Sequence, residues 1–180
     1  METQIAVQTY AIDASHSQVS FTVRHLGFSK VRGRFTGFEG VVHLDPGDLE
    51  SLEATATVQT GTITTGDEKR DTHLRSPDFF AAEQFPTMTF RSDGVTEIVG
   101  DTFKLAGELT IRETTKRVVL DATYLGEAPD PWGGSRAAFE AKGTIDRTEF
   151  GLVWNQVLEA SGVLVSEEVN IELEVQAVLQ

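Results

Sequence analysis

From residue 169 to residue 179, apolar side chains fall at alternate positions. Val169, Ile171, Leu173, Val175, Ala177 and Leu179 alternate with Asn170, Glu172, Glu174 and Gln176. A strand turns successive side chains to opposite faces, so the pattern describes sheet with one side buried and one side wet. The same period recurs in residues 19–25 (Val19, Phe21, Val23 and His25 on one face), 103–111 and 136–145. Residues 53–64, 87–92 and 118–125 supply further strands. Residues 30–44 add a glycine-rich one, with Gly33, Gly37 and Gly40 among Val31, Phe35, Phe38, Val41 and Val42. Asp45-Pro46-Gly47-Asp48 and Gly100-Asp101 are turn signals, and Asp93-Gly94 is expected to close a tight hairpin.

About eight main strands at short spacing, with little helix, argue for an antiparallel sandwich or an up-and-down barrel. Glycines inside strands mark bends, and there are too few elements for a second packed layer; both favour the barrel. The expected fold is therefore all-β, an eight-stranded antiparallel barrel forming a single domain over residues 1–180. A barrel of that size is wide enough to hold one small ligand.

Residues 65–90, TGDEKRDTHLRSPDFFAAEQFPTMTF, interrupt the sheet. Thr65 followed by Glu68 has the capping-box spacing, Ser76-Pro77 repeats a helix-start signal, and Pro86 ends the excursion. Two short helical segments are expected, 67–75 and 77–82, in an insertion over about residues 67–82. Phe79, Phe80, Phe85 and Phe90 crowd its second half, so the insertion reads as a lid over something apolar.

Fifteen basic against 28 acidic residues leave a net charge of −13, which opposes sequence-independent binding to nucleic acid or to an anionic membrane unless a local basic patch escapes the global field. The absence of cysteine removes disulfides, thiolate metal sites and cysteine nucleophiles. No apolar run is long enough to span a membrane as a helix. METQIAVQTY lacks the basic and apolar regions of a secretory leader, so the chain as written is expected in the cytoplasm, or in the periplasm or outside the cell if it is a mature form.

His16, His25, His43 and His73 show no HxH or HxxxH pair, and neither a GxSxG elbow nor a glycine-rich phosphate loop opening a helix is present. No metal or cofactor is expected. Parity turns His25 toward the interior near a strand end. There it either orients a ligand head at the barrel mouth or is hydrogen-bonded to a neighbouring loop. His16 has Asp13, Ser15 and Ser17 as local partners, and His73 is expected to be exposed or to brace the lid. Lys30, Arg32 and Arg34 share one strand face, either simply solvated or an anion site at the rim, to which Arg112, Lys116 and Arg117 would add.

Five segments in order carry a family resemblance. They are Tyr10-Ala-Ile-Asp13…His16-Ser17…Val19-Ser-Phe21…Val23…His25; Val31-Arg-Gly33-Arg-Phe35…Phe38-Glu-Gly40; Thr65…Arg70-Asp71…His73-Leu74…Ser76…Asp78-Phe79-Phe80…Phe85-Pro86…Phe90; Gly107-Glu-Leu109-Thr110-Ile111-Arg112…Thr115-Lys116; and Arg147-Thr-Glu-Phe150-Gly151. Over residues 10–177 the chain resembles the YceI family of lipocalin-like, polyisoprenoid-binding proteins. Family members more often have Trp at the Tyr10 position and Gly at the Glu113 position, and the second difference is expected to alter a turn.

The resemblance implies a dimeric barrel whose apolar pore holds a long isoprenoid or similar amphipathic lipid, such as an isoprenoid quinone or its precursor, for transport or storage. It carries over no catalytic set. On this reading Phe21, Val23, Phe35, Phe79, Phe80, Phe85, Phe90, Leu105, Leu109 and Phe139 line the pore, with Trp154 near one end and His25 and Arg34 toward the head group. Two alternatives stay open: an enzyme acting on a small apolar or lipid substrate in the same barrel, and an interaction module whose barrel is filled by its own side chains.

Overall fold

The computed structural model describes residues 6–158 and 162–180. The stretch read for a leader therefore lies partly, at residues 1–5, outside the described residues. The alternating segments become strands β1 (Gln8–Ile12), β2 (Gln18–His25), β3 (Ser29–Phe35), β4 (Phe38–Asp45), β5 (Asp48–Gln59) and β6 (Ile63–Thr64). After helix α1 (Glu68–Arg75) come β7 (Thr87–Val99), β8 (Thr102–Ile111), β9 (Thr114–Pro129), β10 (Ser135–Asp146) and β11 (Glu168–Leu179).

Two of the long strands are broken. β1 and β2 lie end to end along β11, with Tyr10 opposite Leu179 and Val19 opposite Leu173. β4 and β3 continue one another in the same way beside them. Counting each broken strand once, the ring runs β1/β2, β3/β4, β5, β7, β8, β9, β10, β11 and back to β1, every neighbour antiparallel. This is a closed eight-stranded up-and-down barrel with one short α-helix among the described residues. Closure leaves the main wall without a free edge, the usual liability of a sheet.

The ends of the barrel differ. The lower end, with the turns near residues 46, 100 and 132, is packed by Tyr10, Leu44, Ala137 and Ala177, all fully buried. The Tyr10 hydroxyl donates to Gln8 Oε1 (2.7 Å) and sits 3.2 Å from Glu127 Oε1. Burial, reinforced by the Glu127 charge, pushes that phenol up to about 12. Asp13, at the corner between β1 and β2, accepts from the Ser15 hydroxyl (2.6 Å), Arg136 (2.7 Å) and His16 (2.8 Å). These bonds hold its carboxyl well below the usual range and tie the corner to β10.

Several local expectations change in the folded chain. Asp93-Gly94 lies inside β7 at an irregularity in the pairing with β8, and the hairpin closes at Gly100-Asp101 instead. The cap of α1 is Asp67, whose side chain accepts from Arg70 N; Thr65 instead bonds the buried Asp71 carboxylate through its N–H (2.8 Å) and hydroxyl (2.5 Å). Residues 77–82 form turns, not a second helix: Ser76 ends α1, and its hydroxyl bonds back to the His73 carbonyl. The turn at Arg112-Glu113 places Arg112, not Glu113, at positive φ (55°), so the Glu113 position does not require glycine's freedom.

Candidate functional site

The interior of the upper barrel is a cavity of about 730 Å³. Its existence follows from the sizes of the inward side chains. Ala54 and Ala56 of β5, Ala122 of β9 and Ala141 of β10 are on the wall, at positions that a filled barrel would give to larger residues. Glycines serve the same end. Phe21 pairs directly with Gly33, and a Cβ at Gly33 would overlap the Phe21 ring. Phe90 likewise lies against Gly107. These glycines, read from the sequence as bending points, are cradles that let two phenylalanines lie flat along the wall.

The lid is built from α1, the turns after it, and the segment that follows Gly151. Rings of His73 and Trp154 meet edge to face at 4.6 Å, and Phe79 packs on both, at 5.2 Å from His73 and 5.6 Å from Trp154. A second aromatic run, Phe21, Phe35 and Phe80, joins the lid to the β2–β3 wall at 5.8 and 5.5 Å. Arg112 clasps the lid from outside, donating to the Phe79 carbonyl (3.1 Å) with its guanidinium over the Phe85 ring. It is therefore committed to the lid, not to an anion site, and Arg117 pairs with Asp93.

Arg147 holds the other half of the lid. It is buried, makes no salt bridge among the described residues, and donates to four backbone carbonyls: Leu152 (2.6 Å), Trp154 (2.9 Å), Ser166 (2.9 Å) and Val165 (3.2 Å). Burial lowers its pKa from the ordinary value, the expected direction for a cation withdrawn from water. Those four bonds hold a stretch of irregular backbone across the barrel mouth.

Of the residues expected on the pore wall, Phe21, Val23, His25, Phe35, Phe79, Phe80, Phe90, Leu105, Leu109, Phe139 and Trp154 are there. Arg34 and Phe85 are not. Arg34 is exposed on the outer face, as its alternation with inward Phe35 requires. Phe85 lies outside the lid beneath Arg112. His25 sits on the border, and a β-bridge joins its backbone to Val165. His73 lines the border as well and bonds Asp78 at 2.8 Å. His16 stays in the Asp13 network.

Polar groups on the border include Arg24, Asp67, Lys69 and Arg70, while the wall below is almost entirely apolar. Among the described residues no group of three His, Cys, Asp or Glu side chains could hold a metal ion. Sequence reasoning missed the inward alanines, which strand parity marks, and the buried Arg147 and Asp71, which only their distant partners explain.

The YceI-like domain family matches residues 10–177. The chain belongs to the YceI-like family. A UPF0312 protein of Staphylococcus aureus strain N315 is 37% identical over 164 residues, covering 91% of this chain and 93% of that protein. The solved YCEI protein of Campylobacter jejuni superposes with a TM-score of 0.76 at 30% identity, over 87% of this chain and 90% of that one. A polyisoprenoid binding domain from Saccharophagus degradans shares the fold at a TM-score of 0.70 and 14% identity, over 96% of this chain and 99% of that one.

Proposed function

We propose that this protein binds a long-chain isoprenoid, or a similar amphipathic lipid, in the barrel cavity and carries or stores it. The observation that carries the reading is the 730 Å³ cavity with its apolar wall and polar border. A well-packed interior has few voids larger than a water molecule, so a space of this size is not a packing accident. Its apolar wall favours hydrocarbon over water. Each CH₂ moved into it contributes about 0.8 kcal/mol, so a chain gains affinity with length and needs few polar contacts.

The polyisoprenoid binding domain that shares the fold supports an isoprenoid as the chain. An isoprenoid quinone or its precursor fits the division between apolar wall and polar border, with the head among His25, Lys69 and Arg70. Transport between membranes, assembly as a homodimer and a cytoplasmic setting belong to the same proposal. Cell fractionation reads the compartment and sedimentation the assembly. Gentle purification followed by native mass spectrometry and solvent extraction tests the binding itself. The expected result is one co-purified chain of discrete mass per barrel. A barrel that is consistently free of lipid, and takes up none when offered it, would overturn the reading.

A further inference from the structure

The β2–β3 hairpin breaks two rules of surface design at one place. Its turn is closed by the Phe28 N–H on the His25 carbonyl (3.0 Å), with Leu26 and Gly27 both at positive φ, 54° and 73°. Gly27 suits that conformation and Leu26 does not: asparagine would fit with less strain. Next to them Phe28 is 86% exposed. Neither choice serves the stability of the barrel.

The turn is not alone. The Leu26 N–H bonds the Leu164 carbonyl (2.9 Å), and the ribbon beyond it pairs Val163 with Val157, both exposed, as Val153 is. Of the exposed large apolar side chains, these five thus share the upper end, close in sequence to the pore-border residues His25, Trp154 and Leu164.

The charge on the hairpin runs against that of the protein. Residues 14–38 contain no Asp or Glu, in a chain whose net charge is −13. Arg24, Lys30, Arg32 and Arg34 all lie exposed on the outer face of the hairpin, with Arg24 directly opposite Lys30. Among the described residues none of the four makes a salt bridge. On α1 the signs are mixed, so the basic sector is confined to the hairpin.

We propose that the β2–β3 hairpin docks the mouth of the barrel on an anionic lipid bilayer, with Leu26 and Phe28 entering the interface and the four cations meeting the head groups. An apolar tip flanked by cations is the combination such a surface selects. The acidic remainder does not prevent it, because at physiological salt charges act over about 8 Å and the far side of the barrel is screened. A second copy of this chain fits the tip poorly, since two such hairpins would set four cations against four. The inference concerns the outside of the barrel and stands apart from what the pore holds.

The test is co-sedimentation of the full chain with vesicles of phosphatidylcholine alone and of equimolar phosphatidylcholine and phosphatidylglycerol. The expected result is binding to the anionic vesicles only, weakened by added salt. Leu26→Asn/Phe28→Ser is expected to lower the partition coefficient roughly tenfold or more. Lys30→Ser/Arg32→Ser is expected to lower it roughly thirtyfold, about fivefold per cation. Thermal melts of both variants check folding, and Leu26→Asn relieves strain, so the first is not expected to melt earlier. Absence of wild-type binding to the anionic vesicles overturns the proposal. So does undiminished binding by the apolar variant, which would assign the cations to a soluble polyanion. Conversion of a dimer to monomer by that variant, without vesicle binding by the wild type, would assign the tip to a second copy. Lipid retained inside the barrel, measured on the same samples, separates this outcome from the pore reading: a chain-loaded protein that ignores vesicles refutes docking alone.

Discussion

Replacing Arg147 with Met keeps much of the side chain's bulk and removes every hydrogen bond it makes. Four carbonyls lose their donor, and the shortest of these bonds, to Leu152 at 2.6 Å, is fully buried. A buried acceptor left unpaired costs about 1–3 kcal/mol, and the three part-buried carbonyls recover some of their loss by meeting water. The sum is a destabilisation of about 3 kcal/mol. For a chain of 180 residues that corresponds to a fall in Tm of roughly 6–12 °C.

The location of the damage is as informative as its size. The lost bonds hold residues 152–154 and 165–166 to the barrel, so amide exchange should rise there first, while β8, β9 and β10 keep their protection. Retained lipid should fall too, since Trp154, Leu164 and Val165 border the pore. Thermal melting with hydrogen–deuterium exchange read by mass spectrometry covers both points. A variant that melts within 1–2 °C of wild type (about 0.5 kcal/mol), or whose new exchange is spread evenly over the barrel, would refute the clasp.

Phe80→Asp places a charge where the lid meets Phe35; it is expected to strip retained lipid while costing about 1–2 kcal/mol of stability, since Phe80 is only half-buried. Unchanged lipid content with a large loss of stability would make Phe80 ordinary core. Gly33→Ala drives a methyl into the Phe21 ring and is expected to cost about 1–3 kcal/mol in denaturant unfolding, whereas no cost would mean that the ring can move aside. Tyr10 gives an alkaline signature. Its phenol ionises near 10 when unfolded and is pushed up to about 12 when folded, so its contribution is whole below pH 10 and is lost as pH rises through 12. Tyr10→Phe should flatten the fall in stability across that window, and an unchanged slope would show that another group carries it.

Period-two alternation was the most informative signal in the sequence because it reports burial directly. It placed Phe21, Val23, Phe103, Leu105, Leu109 and Phe139 on the inner face, and the structure has them there. The same rule excludes Arg34, whose neighbours Gly33 and Phe35 are the inward pair; reading it as a head-group ligand set charge above parity. Phe85 was misread for a different reason. Clustering in sequence says little about direction once the chain leaves regular structure, and Phe85 faces Arg112 outside the lid.

Helix and turn signals were less dependable because they are local, while hydrogen-bond partners are not. Thr65 has the spacing of a cap, but buried Asp71 takes its N–H and hydroxyl, and Asp67 caps α1. Asp93-Gly94 would suit a hairpin, yet its neighbours continue their pairing with β8 through an irregularity. Arg147 was beyond reach of such rules, since its acceptors lie 5–19 residues away and outside the named strands.

The central claim is that a single hydrocarbon chain occupies the barrel beside Trp154. The chain has two tryptophans, and Trp132 is exposed at the opposite end, so Trp132→Phe leaves Trp154 as the sole reporter on the pore. Titrating that variant, stripped of lipid, with a bromine-labelled isoprenoid measures contact directly, because bromine quenches an indole only at close range. The expected result is quenching that saturates at one labelled chain per barrel and is reversed by the unlabelled chain. Trp154 emission that stays constant throughout the titration would contradict the account.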